Sequence, residues 1–231
     1  MSKINLGHHY NTLYQTARKC ILENNYQLDA LIDAEDDLRQ GITLRICPPE
    51  TVKNNIQTFL KTLKTVDGHQ YYYPNSDIHI TVMSIISCYS GFDSNQISVA
   101  DYILEIESCL KTVQPFQIQF KGITASPSCV MIQGFLKDDT LNSFRNTLRK
   151  HFKRSALQQS LDVRYTIETA HATVVRFKSP IVHNTKFVKV LDDFRDFDFG
   201  TFTVQNIELV QNDWYQRKDK VNILNTFKIE G

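Results

Sequence analysis

Apolar residues recur along the chain with two spacings, and each spacing predicts one kind of secondary structure. Steps of three and four residues predict helices at His8–Asn24, Glu50–Val66, Ser98–Thr112, Asp139–Phe152 and Thr185–Phe194. Continuous or alternating apolar runs predict strands at Gly41–Cys47, Ile78–Ile86, Phe116–Thr124, Ser128–Phe135, Ala170–Phe177, Phe199–Gln211 and Val221–Ile229. The regular succession of these elements begins at residue 41.

This pattern divides the chain into a leader, residues 1–40, and a main domain, residues 41–231. In the leader, Leu13, Ala17 and Ile21 lie on one face of the first predicted helix. Acidic residues crowd the segment from Asp29 to Arg39, which predicts an exposed acidic run. The leader is therefore predicted to be a helical extension of the domain.

Within the main domain, one order of elements occurs twice. A strand, a turn, a helix and a second strand appear at Gly41–Cys47, Glu50–Val66 and Ile78–Ile86, and again at Ser128–Phe135, Asp139–Phe152 and Ala170–Phe177. Such an internal repeat indicates a pseudo-two-fold molecule, in which the last strands of the two units face each other across a shared cleft.

Each of these facing strands carries the same short motif, DIHITVM at residues 77–83 and TAHATVV at residues 169–175. Side chains alternate along a strand, so His79 and Thr81 share one face. His171 and Thr173 do the same in the second unit. A third His-x-Thr begins at His183, but it lies in a polar stretch and is predicted to be a bystander, that is, to have no catalytic role.

Two imidazoles and two hydroxyls on facing strands suit acid and base catalysis at a phosphate. Imidazole has an ordinary pKa of about 6.5, so at neutral pH one histidine can accept a proton while the other donates one. Threonine hydroxyls can donate to the non-bridging phosphate oxygens, and Arg176 would add a charge-assisted contact. The near-symmetry of the motifs leaves open which histidine is the base.

Composition restricts the partners and the compartment. The chain has 231 residues, of which 42% are hydrophobic, enough for a sizeable core. Its formal net charge is +1, so its overall electrostatic field does not favour the binding of long RNA. Five cysteines without a Cys-x-x-Cys pair, and the lack of a signal peptide or long apolar segment, predict a cytoplasmic protein without a membrane anchor. No residues have metal-ligand spacing, so neither a metal nor another cofactor is expected.

With these doubled motifs, the chain resembles the 2H phosphoesterase superfamily, the two-histidine enzymes that include bacterial RNA 2',3'-cyclic phosphodiesterases, often labelled 2'-5' RNA ligases. The resemblance covers about Gly41 to Phe227 and includes DFGTFTV at residues 198–204. It implies a bilobal α+β fold, a pseudo-two-fold duplication of antiparallel sheets with helices on the outside and a central cleft. It also implies a metal-free site whose catalytic and phosphate-contacting residues are His79, Thr81, His171 and Thr173.

The resemblance also bears on residues around the motifs. Arg176 matches a basic position often found after the second motif of the family. The leader and an insertion at Arg154–Tyr165 depart from the small family members, and these departures leave the substrate open.

Aromatic residues near the motif strands are candidates to stack on a nucleobase. Tyr73 and Trp214 are preferred, because each flanks a strand near a motif end. Basic side chains at the end of the helix Asp139–Phe152 are instead predicted to form a solvated face that favours the helix dipole; they are Arg145, Arg149, Lys150, Lys153 and Arg154.

The sequence therefore predicts a monomeric, metal-independent phosphodiesterase that hydrolyses a cyclic phosphate or a 2'-linked nucleotide, with a nucleotide or an RNA terminal phosphate as its partner. Degradation of a cyclic oligonucleotide messenger would use the same histidines. A non-catalytic nucleotide or RNA-end binding module would keep the fold without needing an acid/base pair. A sugar mutarotase would use the histidines but leave the threonines without a clear role.

Overall fold

A computed structural model describes residues 5–163 and 166–230 of the protein. The first four residues of the predicted leader lie outside the described residues. So do Arg164 and Tyr165, with which the predicted insertion ends, and Gly231 at the carboxyl end.

The described residues form a mixture of helices and strands. The helices are α1 (Leu6–Leu22), α2 (Glu50–Val66), α3 (Val99–Leu110), α4 (Thr140–Arg154) and α5 (Asn184–Asp193). The strands are β1 (Gln40–Ile46), β2 (Tyr71–Tyr72), β3 (Ile80–Tyr89), β4 (Phe116–Ser126), β5 (Cys129–Leu136), β6 (Ala172–Arg176), β7 (Asp198–Val204), β8 (Asn206–Asp213) and β9 (Asn222–Lys228). In the described ranges, no helix combines the length and the apolar character needed to cross a bilayer.

One predicted strand has the wrong extent. The run Phe199–Gln211 is interrupted at Gln205, which separates β7 from β8. The two strands belong to different sheets, because β7 pairs with β4 whereas β8 pairs with β1. An apolar pattern records which side chains are buried, but it does not identify the neighbouring strand, so the sequence pattern did not reveal this break.

The strands form two antiparallel sheets, one in each lobe. The first has the order β3-β1-β8-β9 and the second the order β2-β6-β5-β4-β7. Helix α2 follows β1 of the first sheet but packs on β7 of the second, whereas α4 connects β5 and β6 of the second sheet and packs on β3 of the first. The predicted bilobal α+β fold, with antiparallel sheets, outer helices and a central cleft, is confirmed.

The leader packs on the second lobe. Helix α1 starts after the N-cap residue Asn5, whose side chain accepts from a backbone N–H in the first turn, and it buries Tyr10, Tyr14, Ala17 and Ile21 along one face. The Tyr14 hydroxyl donates to the Asp192 carboxylate at 2.6 Å. The domain boundary at residue 40 stays a prediction.

In the acidic run after α1, Asp33, Glu35 and Asp36 are exposed as predicted, but other parts of the run pack against the protein. Ile32 in its middle is buried. The Asp29 carboxylate accepts from the Tyr215 hydroxyl at 2.8 Å, and Asp37 forms an ion pair with Arg39 at 2.7 Å. The Asp33 carboxylate forms an ion pair with Lys178 at 2.8 Å, so side chains of the main domain hold Asp29 and Asp33, while Asp37 is held within the leader.

Candidate active site

The seven residues singled out in the sequence line one cavity of about 170 Å³ between the lobes. They are His79, Thr81, His171, Thr173, Arg176, Tyr73 and Trp214. On β3 and β6 the alternation of the motifs explains this placement, because the residues that separate each His from its Thr, Ile80 and Ala172, are fully buried. The two motifs therefore present both imidazoles and both hydroxyls to the same space.

Both motif strands carry a β-bulge at the same position, three residues after the histidine. In β3, Thr81 and Met83 oppose consecutive residues of β1, which leaves Val82 as the extra residue. In β6, Thr173 and Val175 oppose consecutive residues of β5, which leaves Val174 as the extra residue. Bulges re-aim side chains and are common beside active sites, so the repeat is preserved in backbone geometry as well as in sequence.

The His79 ring is held by the backbone of its own motif. Its Nδ1 lies 2.7 Å from the carbonyl oxygen of Asp77. Because a carbonyl can only accept, the proton of neutral His79 resides on Nδ1, and Nε2 carries the lone pair. Neutral His79 is thereby prepared to accept a proton at Nε2.

The His171 ring is held by a hydroxyl. Its Nδ1 lies 2.7 Å from Oγ1 of Thr169, the first residue of the second motif. The backbone just before His171 also passes very close to β5, since a Cβ on Gly134 would lie 2.0 Å from the carbonyl oxygen of Ala170. Glycine at this position therefore allows the second motif to lie flush against the sheet.

The cavity strongly favours neutral imidazoles when no anion is bound. Burial away from water lowers the pKa of His79 to about 3, and the Arg45 and Arg176 charges act in the same direction. Burial also lowers the pKa of His171 to about 4, assisted by the positive charges of Arg145 and Arg176. A bound phosphate would oppose these positive charges and raise both pKa values, because a nearby anion stabilises imidazolium.

These pKa shifts predict that the protein loses stability in mild acid. Between pH 6.5 and pH 4 the unfolded chain binds a proton at each histidine that the folded chain does not, so folding becomes less favourable as the pH falls. At pH 5 the loss relative to pH 7 is about 2 kcal/mol for each histidine, taking an unfolded pKa of about 6.5. We expect the Tm of the wild type to fall more between pH 7 and pH 5 than the Tm of the His79→Ala, His171→Ala double variant. If differential scanning calorimetry shows the same decrease in Tm for the wild type and the double variant, the low pKa values are contradicted.

Arg176 is anchored by three neighbours while it lines the cavity. Its Nε donates to the Tyr73 hydroxyl at 3.0 Å, and its Nη1 lies 3.6 Å from the Asp29 carboxylate. Its guanidinium also lies 5.4 Å from the centre of the Tyr215 ring. The leader thus helps to orient the cationic residue that sequence reasoning assigned to phosphate.

Tyr73 is placed differently from the prediction. Only 1% of its surface is exposed, so its ring has no free face on which a base could stack. Its backbone N–H donates to the carbonyl of the bulge residue Val174 at 3.0 Å. Burial corrects the stacking prediction for this residue, and its contact with the site is through the hydroxyl that holds Arg176.

Trp214 lies at the cavity in the turn that follows β8, half-buried, with the Arg39 guanidinium 4.7 Å from the centre of its ring. Its role as a stacking platform stays a prediction.

Sequence reasoning missed several polar residues that also line the cavity, among them Ser84, Ser87, Ser160, Asp162, Asn212 and Gln216. The extra residue Val82 places Ser84 three residues after Thr81 at the cavity, and a second irregularity of the β1 pairing, at Ile85, places Ser87 three residues further on.

The bystander His183 lies away from this cavity. It is exposed and stands immediately before α5, and its side chain makes no capping hydrogen bond. As for metals, no group of three or more His, Cys, Asp or Glu side chains in residues 5–163 and 166–230 is placed to bind an ion.

The chain is similar to one protein family and to several solved structures. The family model described as the AKAP7 2'5' RNA ligase-like domain matches residues 42–229. No curated protein matches the chain. Among solved structures, TT0787 of Thermus thermophilus is 15% identical with a TM-score of 0.58, and the match covers 84% of this chain and 98% of that one.

Two further structures are similar to the same extent. Escherichia coli LigT complexed with 3'-AMP is 14% identical with a TM-score of 0.56, over 84% of this chain and 99% of that one. A conserved protein of unknown function, ATU0111 from Agrobacterium tumefaciens, is 14% identical with a TM-score of 0.58, over 90% of this chain and 98% of that one. At these identities the likeness concerns the fold.

Proposed function

The chain belongs to the AKAP7 2'5' RNA ligase-like domain family, and on that premise we propose that it is a metal-independent phosphodiesterase that hydrolyses a cyclic phosphate or a 2'-linked nucleotide. The observation that supports this proposal is the meeting of His79, Thr81, His171 and Thr173 in one cavity with Arg176. Two proton-transfer groups, two hydroxyl donors and a guanidinium are the groups that phosphoryl hydrolysis needs in the absence of a metal.

We propose that His79 is the general base. Its Nδ1–H is committed to the Asp77 carbonyl, so Nε2 is the nitrogen that can take a proton from the attacking water. The water oxygen forms a bond to phosphorus as this proton moves to His79. The bond between phosphorus and the leaving ester oxygen then breaks.

His171 is the general acid in this scheme. The leaving oxygen takes its proton from His171, so the charges balance when the two histidines later exchange protons with water. Burial and nearby cations lower the pKa of free His171, and an approaching phosphate raises it again. The substrate itself therefore supplies the negative charge that makes His171 a proton donor.

The threonine hydroxyls and Arg176 stabilise the charge that develops on the non-bridging oxygens. Hydrogen bonds that strengthen as charge grows lower the barrier more than bonds made equally in the ground state. The structure of Escherichia coli LigT holds 3'-AMP, which supports a nucleotide as the substrate class for the present chain.

Direct turnover assays test the substrate class. We propose to incubate the purified protein with 2',3'-cyclic nucleotides, 2'-5' oligoadenylate and cyclic dinucleotides, and to follow each product by chromatography. Hydrolysis of one of the first two supports the proposal, and hydrolysis of cyclic dinucleotides alone supports degradation of a messenger. Tight binding of a nucleotide without turnover of any compound would contradict catalysis and leave a binding module.

The same assay checks metal independence. Because the proposed groups transfer protons and stabilise charge without a Lewis acid, we expect turnover in excess EDTA to equal turnover in its absence. The control is a known magnesium-dependent phosphodiesterase in the same buffer, which must lose its activity. Loss of turnover that an added divalent ion restores would contradict a two-histidine mechanism.

A further inference from the structure

A fully buried arginine joins the two motif segments behind the cavity. Arg145 of α4 has no exposed surface and is the largest completely buried side chain in the described residues. Its position corrects the sequence prediction, which placed it on a solvated basic face. It lies on the buried side of α4 together with Leu141, Phe144 and Leu148.

The guanidinium is bound to the backbone of both motifs. Its Nε donates to the carbonyl of Val82 at 2.9 Å, and its Nη2 donates to the carbonyl of Thr81 at the same distance. Nη2 also donates to the carbonyl of Thr169 at 2.9 Å. One planar group therefore contacts the strand that begins directly after His79 and the segment that positions His171.

The local backbone explains why these carbonyls need such a partner. β3 is an edge strand of the first sheet, so its outer side has no neighbouring strand. The bulge at Val82 disturbs the ladder to β1 at the same point, and Thr169 precedes the first paired residue of β6. A buried carbonyl without a donor is costly, and the fork of Arg145 supplies donors to three of them.

Arg145 is not part of an ordinary buried ion pair. Across residues 5–163 and 166–230, no carboxylate forms a salt bridge with its guanidinium, and its Nη1 donates to the Asn142 amide oxygen at 3.2 Å. The negative charge of Glu168 acts on Arg145 only from beyond salt-bridge distance, and burying a cation without a directly paired counter-ion is unfavourable. An arginine held here by carbonyls alone is better explained by what it positions than by stability.

We propose that Arg145 is a positioning residue for catalysis, whose guanidinium fixes the spacing and orientation of the two histidine motifs. This inference rests on the function proposed above. Its physical basis is that acid and base must reach opposite sides of one phosphorus atom, and a displacement of about 1 Å can reduce the rate about 10²-fold.

The charge of Arg145 also acts on His171. Charged or titratable groups that face this imidazole come from α4 with Arg145, from α1 with His9, from β6 with Arg176 and from the residue directly before β3, His79. Arg145 contributes the largest of the charge effects that lower the pKa of His171, after burial itself. Removal of this cation is therefore expected to raise the pKa of His171.

The test compares Arg145→Met, Arg145→Lys and the control Arg195→Met. Arg195 also donates to a backbone carbonyl, that of Ile123 at 2.6 Å, but it does not line the cavity. For Arg145→Met we expect kcat to fall about 10²-fold with a much smaller change in KM, because positioning acts mainly on the transition state. Arg145→Lys keeps the charge but loses the planar fork, so an intermediate kcat is expected. Arg195→Met is expected to lose stability alone.

Histidine NMR gives a readout that does not depend on turnover. The His171 ring signal is assigned by its absence in His171→Ala, and its pKa is then measured with and without inorganic phosphate. We expect Arg145→Met to raise the pKa of His171, whereas Arg145→Lys and Arg195→Met leave it unchanged. If no phosphodiester is hydrolysed by the wild type, the proposed function fails, while this titration still decides whether Arg145 acts on His171.

Two results would overturn the inference. The first is a folded Arg145→Met variant with wild-type kcat and an unchanged His171 titration, which would reduce Arg145 to a structural residue. The second result matters if Arg145→Met does not fold. In that case, a folded Arg145→Lys variant with wild-type kcat would overturn the inference. That outcome would show that the planar fork is not needed to align the motifs.

Discussion

Replacement of either motif histidine by alanine is expected to lower kcat by about 10² to 10⁴-fold, because each removes one partner of a general acid–base pair. Both imidazoles are half-buried at the cavity surface, so the variants should remain folded. Steady-state assays of His79→Ala and His171→Ala, with melting curves recorded in parallel, measure this loss.

The choice of substrate separates the two roles. An activated ester such as a nitrophenyl phosphodiester has a leaving group that departs without a proton. We therefore expect His171→Ala to recover much of its rate on this substrate, whereas His79→Ala should stay impaired. The opposite recovery would exchange the assignments of acid and base.

His183→Ala is the matched control, since it removes the third His-x-Thr histidine, an exposed residue outside the cavity. Its kcat should equal that of the wild type. Wild-type kcat in His171→Ala as well would contradict the functional interpretation of the repeated motif.

Loss of the threonine hydroxyls is the second large effect. Valine has nearly the shape of threonine but cannot donate a hydrogen bond, so Thr81→Val and Thr173→Val should each remove a bond to a charged phosphate oxygen. Such a bond is worth about 1.5 to 3 kcal/mol, which corresponds to a decrease in kcat/KM of about 10- to 150-fold. Steady-state kinetics and thermal melting at neutral pH measure both consequences, and the Tm should change little.

The serine variants are the controls for this prediction. Thr81→Ser and Thr173→Ser keep the hydroxyl and lose only a methyl group, so they should retain most of the activity. Unchanged kcat/KM in both valine variants would mean that the threonines only pack the strands. Equal losses in serine and valine variants would point to the methyl group instead.

Much of the fold followed from periodicity. The apolar spacing predicted α2 with its observed bounds, and it located the other helices to within a few residues. The doubled motif predicted the superfamily, which the family match over residues 42–229 confirms. Because His79 and Thr81 are separated by one buried residue, as are His171 and Thr173, a period of two was enough to predict that each pair shares a face.

Other features depend on contacts between distant segments, which a local pattern does not contain. The sequence could not show that one apolar run divides between two sheets, since burial does not specify a pairing partner. It predicted a base-stacking Tyr73 and a solvated Arg145, yet both are buried. Residue type records a preference for water, whereas the free energy at each site depends on the partners that folding supplies.

The sequence by itself determined the helices, most of the strands, the repeat and the four motif side chains, because these follow from local periodicity and residue chemistry. The tertiary structure decided their surroundings: the matched bulges at Val82 and Val174, and the guanidinium of Arg145 between the two motif segments. Only packing could decide these, because the bulges depend on which strands pair, and Arg145 donates to backbone carbonyls that come together when α4 of one repeat packs on the sheet of the other.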